Sequence, residues 1–214
     1  MGAASVAAGA SAGAHTDVFL LTLTATASAQ WDHTGAPTPE NHECSKTERT
    51  EGLRSVRFRS RPTRVRIVGG RLVGVDLRGV RGTVTLGGAE TTQTTCPGGE
   101  GSAEIRDCVT TRRSFAGAAV RLRSPARGRL AFGAVRGVRL AEVDCPDEIA
   151  AVRTSPVGPS PKPIRLPLPK LANPRTGNVV IRVSIQRELP FAAPEAGRLG
   201  QRVSWTLTFH RVKS

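Results

Sequence analysis

Tyrosine is missing from this chain of 214 residues, and all aromatics together make up 4% of it. Its core must therefore be built mainly from Val, Leu, Ile and Ala. Lysine is almost missing too: Lys46, Lys162, Lys170 and Lys213 are the only four among 31 basic residues, and the rest are Arg. No apolar run approaches the ~20 residues of a helical membrane span, so the chain is not expected to cross a membrane that way. No Lys or Arg precedes Lys46, so the Ala/Gly/Ser-rich start lacks the charged opening of an export signal. Residues 1–16 read as the remainder of such a signal, with Ala12-Gly13-Ala14 as a small-residue cleavage site, or as a disordered tail. Residues 17–214 read as a single domain.

Catalytic signatures are also missing. The chain has no G-x-S-x-G elbow, no H-E-x-x-H and no glycine loop opening a helix onto phosphate. Arg66-Ile67-Val68-Gly69-Gly70 imitates a protease activation junction, but no G-D-S-G-G follows. The only His after Ile67 is His210, so a Ser-His-Asp triad cannot be assembled downstream. The densest polar cluster, DHTGAPTPENHEC, carries Asp32, His33, Glu40, His42, Glu43 and Cys44. It reads as a solvated loop, and it is where an unrecognised enzyme site would have to lie. No catalytic residue, metal or cofactor is assigned.

What the sequence has in quantity is alternation. From Leu21 to Trp31 the odd positions are apolar, and Thr22, Thr24, Thr26 and Ser28 alternate with them. That is the period of a half-buried strand. The opposite terminus repeats the design with Val203, Trp205, Leu207 and Phe209 against Ser204, Thr206, Thr208 and His210. The two are natural antiparallel neighbours. Further strands are predicted at 54–60, 63–68, 71–77, 83–87, 118–123, 128–133, 163–168 and 178–187. PDEIAAV at 146–152 is the best helical candidate, 155–170 is a Pro-rich extended crossover or edge segment, and 189–200 is a loop. The fold class expected is all-β with very little helix: an antiparallel β-sandwich, immunoglobulin-like or jelly-roll-like, with two related halves.

The halves come from an internal repeat. Cys44 and Cys108 are 64 residues apart, as are Val56 and Val120, and CSKTERTEGLRSVRFRS aligns without a gap on CVTTRRSFAGAAVRLRS. Each half, 44–96 and 108–145, ends in Cys-Pro. Four Cys in a chain with export features imply two disulfides and an extracellular or envelope location. Simple duplication suggests Cys44–Cys96 with Cys108–Cys145. Local spacing suggests Cys96–Cys108, stapling CPGGEGSAEIRDC, with Cys44–Cys145, and is slightly preferred. A zinc site is disfavoured by the lack of any C-x-x-C.

A Thr-rich strand ending in Trp, then Cys, TEGLRSVRFRSRPTRVRI, RDC and a final CP resembles uncharacterised secreted proteins of high-GC actinobacteria. The resemblance implies an exported β-rich protein and supplies no activity and no site residues.

The arginines remain. No acid occurs from Gly52 through Val75 or from Val109 through Ala141, and the net charge is +14. Strand parity turns Arg57, Arg59, Arg64, Arg66, Arg121 and Arg123 outward. If their strands share one sheet, these six make a cationic face for an anionic cell-surface polymer; otherwise they are a solvated surface. The residues between them are mostly aliphatic and turn toward the core, so specific nucleic-acid binding is not expected. The function read from sequence is a non-catalytic secreted or envelope protein, structural or adhesive. The alternatives are a secreted enzyme with its site in the 32–44 loop and a nucleic-acid binder.

Overall fold

A computed structural model describes residues 16–40, 43–99, 101–136 and 161–212. The 146–152 segment, residues 1–15, Cys145 and residues 155–160 of the Pro-rich stretch lie outside the described residues.

The chain is all-β, antiparallel and sandwich-like. Its strands are β1 (Thr16–Thr34), β2 (Thr38–Pro39), β3 (Ser45–Arg59), β4 (Thr63–Val68), β5 (Arg71–Leu72) and β6 (Val75–Thr95). They continue with β7 (Gly101–Arg123), β8 (Arg129–Arg136), β9 (Ile164–Arg165), β10 (Asn178–Pro190) and β11 (Ala196–Arg211), and one short helix, α1, covers Leu168–Ala172. The strands are joined in the order β10-β11-β1-β3-β6-β7-β8-β9, with β2 beside β3, β4 beside β1 and β5 beside β4.

The two Trp/Thr strands pair as their alternation predicts. Leu23 lies opposite Leu207, Ala25 opposite Trp205 and Thr26 opposite Ser204. Burial alternates along both strands, with Leu21, Leu23, Trp205 and Leu207 fully inside. The other edge of β1 is shared. Arg57 of β3 faces Thr26, and after the interruption at 60–62 Arg64 of β4 faces Leu20. Strands β3 and β4 therefore act as one long strand. Ser60 ties the interruption down: its backbone N–H reaches the Leu23 carbonyl and its Oγ accepts from the Leu23 N–H.

The sheet becomes two layers by bending. Register shifts between Leu77, Val80 and Gly82 kink β6, and Gly117 of β7 has a φ of 83°. Such bulges increase local bend and twist. As a result Phe132 of β8 packs on Trp205 of β11 at 5.1 Å between centroids, although four strands separate them along the sheet. Trp205 also meets Phe58 edge-on at 5.7 Å. One main core fills the space between the layers, and Leu171 of α1 plugs one end of it. There Arg211 donates to Asp17 at 2.7 Å and to the Leu171 carbonyl, and stacks over Phe19. A smaller cluster of Ala29, Trp31, Leu86 and Leu199 extends the interior toward the other end.

Several expectations need correction. The segment at 189–200 is mostly strand, because β10 runs to Pro190 and β11 starts at Ala196. CPGGEGSAEIRDC is not a stapled loop but the tip of the β6–β7 hairpin. Its disulfide follows from that. The bridge is Cys44–Cys96, not the preferred Cys96–Cys108 with Cys44–Cys145. Ser45 pairs with Thr95, so Cys44 and Cys96 are neighbours at adjacent strand ends. Cys108 pairs with Gly88, eight positions back along β6 from Cys96. At ~3.4 Å per residue that is about 27 Å away, far beyond disulfide reach.

Candidate anion-binding face

Antiparallel register places the outward side chains of β10, β11, β1, β3, β6 and β7 in rows across one face. The row at one end joins Arg198, Asp32, Glu51, Ala89 and Asp107. The next holds Glu188, Gly200, Gln30, Leu53 and Gly87. Then come Gln186, Arg202, Ser28, Ser55, Thr85 and Arg112. The fourth is Ser184, Ser204, Thr26, Arg57, Thr83 and Ser114. The fifth is Arg182, Thr206, Thr24, Arg59 and Arg81. Beyond it Arg64 and Arg66 stand opposite Leu20 and Val18. The face is thus graded along the strands, from carboxylates at one end to guanidinium groups at the other.

Four of the six arginines singled out from sequence are brought together. Arg57, Arg59, Arg64 and Arg66 form one exposed column on β3 and β4. Their β1 partners run from Thr26 to Val18, about 27 Å at ~3.4 Å per residue. The other two do not join them. Arg121 and Arg123 lie on the part of β7 that pairs with β8, beyond the bend, and point out of the opposite layer. Arg121 also has a carboxylate partner, Asp76, at 4.0 Å. The single six-arginine face is therefore corrected to a four-arginine column, because the bulges in β6 and β7 fold the second half of the sheet over the first.

Two arginines that the sequence reading left out belong to this face. Arg81 lies directly opposite Arg59. Arg112 lies opposite Thr85 and shares a depression of ≈ 270 Å³ with Arg57, Ser55, Thr83 and Thr85. Counting parity back from the buried Val120 would turn Arg112 inward. The bulge at Gly117 shifts the alternation by one, so Phe115 is buried and Arg112 faces out. Among the described residues, no carboxylate comes within 4.0 Å of Arg57, Arg59, Arg64, Arg66, Arg81 or Arg112.

At the opposite end of the face the charges of both signs are paired with one another. Arg49 grips Asp32 through two hydrogen bonds of 3.0 Å and approaches Glu51 at 3.5 Å. The hydrogen bond from Arg49 holds the Asp32 carboxyl below its ordinary pKa. Arg198 pairs with Glu188 at 3.2 Å. Glycines at 87 and 200 leave a trough of ≈ 660 Å³ between these groups, with Gln30 and the half-exposed Leu53 on its walls.

Among the described residues of the 32–44 segment, the polar side chains turn to separate partners. His33 bonds Glu195 at 3.2 Å and packs against Phe191, Asp32 is held by Arg49, and Glu40 accepts from the Thr94 hydroxyl. His42 lies outside the described residues. Among those described, no group of three or more His, Cys, Asp or Glu is placed to hold a metal ion. No helix among them is long and apolar enough to cross a membrane. Compared with known proteins, the chain matches no family model and no curated protein.

Proposed function

We propose that this protein is a non-catalytic, exported binding module that holds an anionic polymer along the β3–β4 column, in a structural or adhesive role at the cell surface. The observation that carries the reading is the column itself: four arginines in line on one face, with no carboxylate partner among the described residues. A solvated surface is normally interspersed with both signs of charge, and the opposite end of this same face is. Guanidinium forks bind phosphate, sulfate and carboxylate oxygens in pairs. The disulfide fits an oxidising compartment. A polymer with charge but without bases fits better than single-stranded nucleic acid, because none of the six Phe and two Trp side chains is exposed to stack on a base.

The test is binding of the oxidised protein to a poly(glycerol phosphate), an acidic polysaccharide and DNA across a salt series. The combined change Arg57→Gln, Arg59→Gln, Arg64→Gln and Arg66→Gln removes the column. Arg121→Gln with Arg123→Gln removes the same kind of charge from the opposite layer. Saturable binding that is lost in the first variant and kept in the second is the expected result. Equal losses in both, scaled to the charge removed, would sink the reading.

A further inference from the structure

We infer that the depression between Arg57 and Arg112 is a phosphate subsite, and that the trough beside it takes the uncharged, hydroxyl-bearing end of the same chain. The polymer recognised is then a polyol phosphate, bound in one direction with its free polyol terminus in the trough. The inference rests on the anionic-polymer reading above and names the chemistry of the ligand.

The subsite has the composition an oxyanion needs. Arg57 on β3 and Arg112 on β7 flank β6, which presents Thr83 and Thr85 between them, with Ser55 beside Arg57. Strands β3 and β7 lie about 10 Å apart across β6, at ~4.8 Å per strand. Two long side chains can close over that gap on one tetrahedral group. Every side chain lining the depression offers a hydrogen-bond donor, and none is a carboxylate. Paired guanidinium and hydroxyl donors of this kind fit phosphate oxygens.

The neighbouring trough has the opposite character. Thr85 lines both spaces, so they adjoin on the face. Past Thr85 the floor is glycine and the walls are Gln30 and Leu53, groups suited to hydroxyls and to the apolar face of a polyol or sugar. At its far side three carboxylates, Asp32, Glu51 and Glu188, share two arginines, Arg49 and Arg198. That end keeps net negative charge and repels a second phosphate. In the other direction Arg59, Arg64 and Arg66 continue the cationic column. A uniformly charged polyanion fits only part of this gradient. A polyol phosphate with an unphosphorylated terminus fits its whole length.

The experiment compares two synthetic glycerol-phosphate trimers at fixed ionic strength, by calorimetry and by amide shifts. One ends in free glycerol and the other in a phosphomonoester. A sulfated polysaccharide serves as the charge-density control. The capped trimer, though more highly charged, should bind at least about tenfold more weakly. Arg112→Gln should weaken the uncapped trimer about tenfold. A side chain at position 200 is sterically accommodated, since its first atom would meet only the Gln30 carbonyl, at 3.8 Å. Gly200→Val should therefore fill the trough and erase the preference for the uncapped end. Glu51→Gln, at an exposed site, should narrow the same preference without new bulk. If the capped trimer binds as tightly as the uncapped or tighter, affinity follows charge; the subsite is then wrong, while the anionic-polymer reading stands. If neither trimer nor the polysaccharide binds, both fall.

Discussion

Trp31 shows how much one residue can depend on another's lack of a side chain. Its indole lies across Gly52, its register partner on β3, and a Cβ at position 52 would overlap the six-membered ring. Gly52→Ala should thus force Trp31 out of the small cluster it forms with Leu86 and Leu199. Overpacking of this kind costs about 1–3 kcal/mol. Urea unfolding followed by Trp fluorescence reads both the loss and its location, and an unchanged midpoint would show that the ring can move aside freely. Asp32 gives a pH prediction. Its folded pKa is depressed, first by the hydrogen bond from Arg49. A depressed carboxylate adds stability above its unfolded pKa and loses it as pH falls through the folded value. The Asp32 titration midpoint, read by NMR, should therefore lie below the ordinary aspartate range. In Arg49→Gln it should rise back toward that range, so the stability that Asp32 adds above its unfolded pKa, and loses on acidification, should shrink. At this scale the sequence was legible wherever alternation ran unbroken: Arg57 and Arg59 were placed outward from Val56 and Phe58, and they are outward. Arg112 was not legible, because a single extra residue near Gly117 inverts the parity on which that placement depends.

At the scale of elements, turns decided what could be read. The β1–β11 pairing followed from two matching Thr/Trp alternations, which needed no knowledge of the loops between them. The β6–β7 hairpin was obscured because its arms are polar on both faces: residues 101–107 are all exposed, and alternation reports burial only where one face is buried. Without that signal, a Gly-rich turn and a flanking Cys look like a stapled loop. The observed Cys44–Cys96 bridge closes a chain separation of 52 residues. In the chain-entropy picture a loop of that length contributes about 4 kcal/mol. Cys44→Ser with Cys96→Ser should cost up to that amount in thermal unfolding, and less to the extent that the β3–β6 register also forms in the unfolded ensemble. Peptide mapping without reduction should recover Cys44 joined to Cys96. A Cys96–Cys108 peptide would contradict the hairpin register itself. With Cys44 and Cys96 occupied, the two remaining cysteines can pair within the chain only with each other, which is the pairing that duplication alone would suggest.

At the scale of the whole molecule, one continuous sheet makes both layers, and Trp205 is where they meet. It touches Phe58 within its own half of the sheet and Phe132 from the half folded over it. The bend that brings Phe132 there also carries Arg121 and Arg123 away from the β3–β4 column, so packing and binding share one cause. If the column binds a flexible polyanion, each arginine lost should remove about 0.7 from the slope of log K against log salt. The four-arginine variant should then lose about 3, and the Arg121–Arg123 variant close to nothing. The fold-over has its own test. Trp205→Ala should cost about 3–5 kcal/mol, the usual range for a large core aromatic, and that is a large share of a domain's 5–15 kcal/mol. Trp205→Phe is milder. It keeps a ring between the layers and removes an indole N–H that has no hydrogen-bond partner among the described residues. Amide exchange in that variant separates two outcomes. Lower protection in β7 and β8 as well as in β11 means that this one side chain couples the layers. Lower protection confined to β11 and its neighbours β1 and β10 would mean that the second layer is held by the bulges and the β6–β7 pairing, with Trp205 only filling space between.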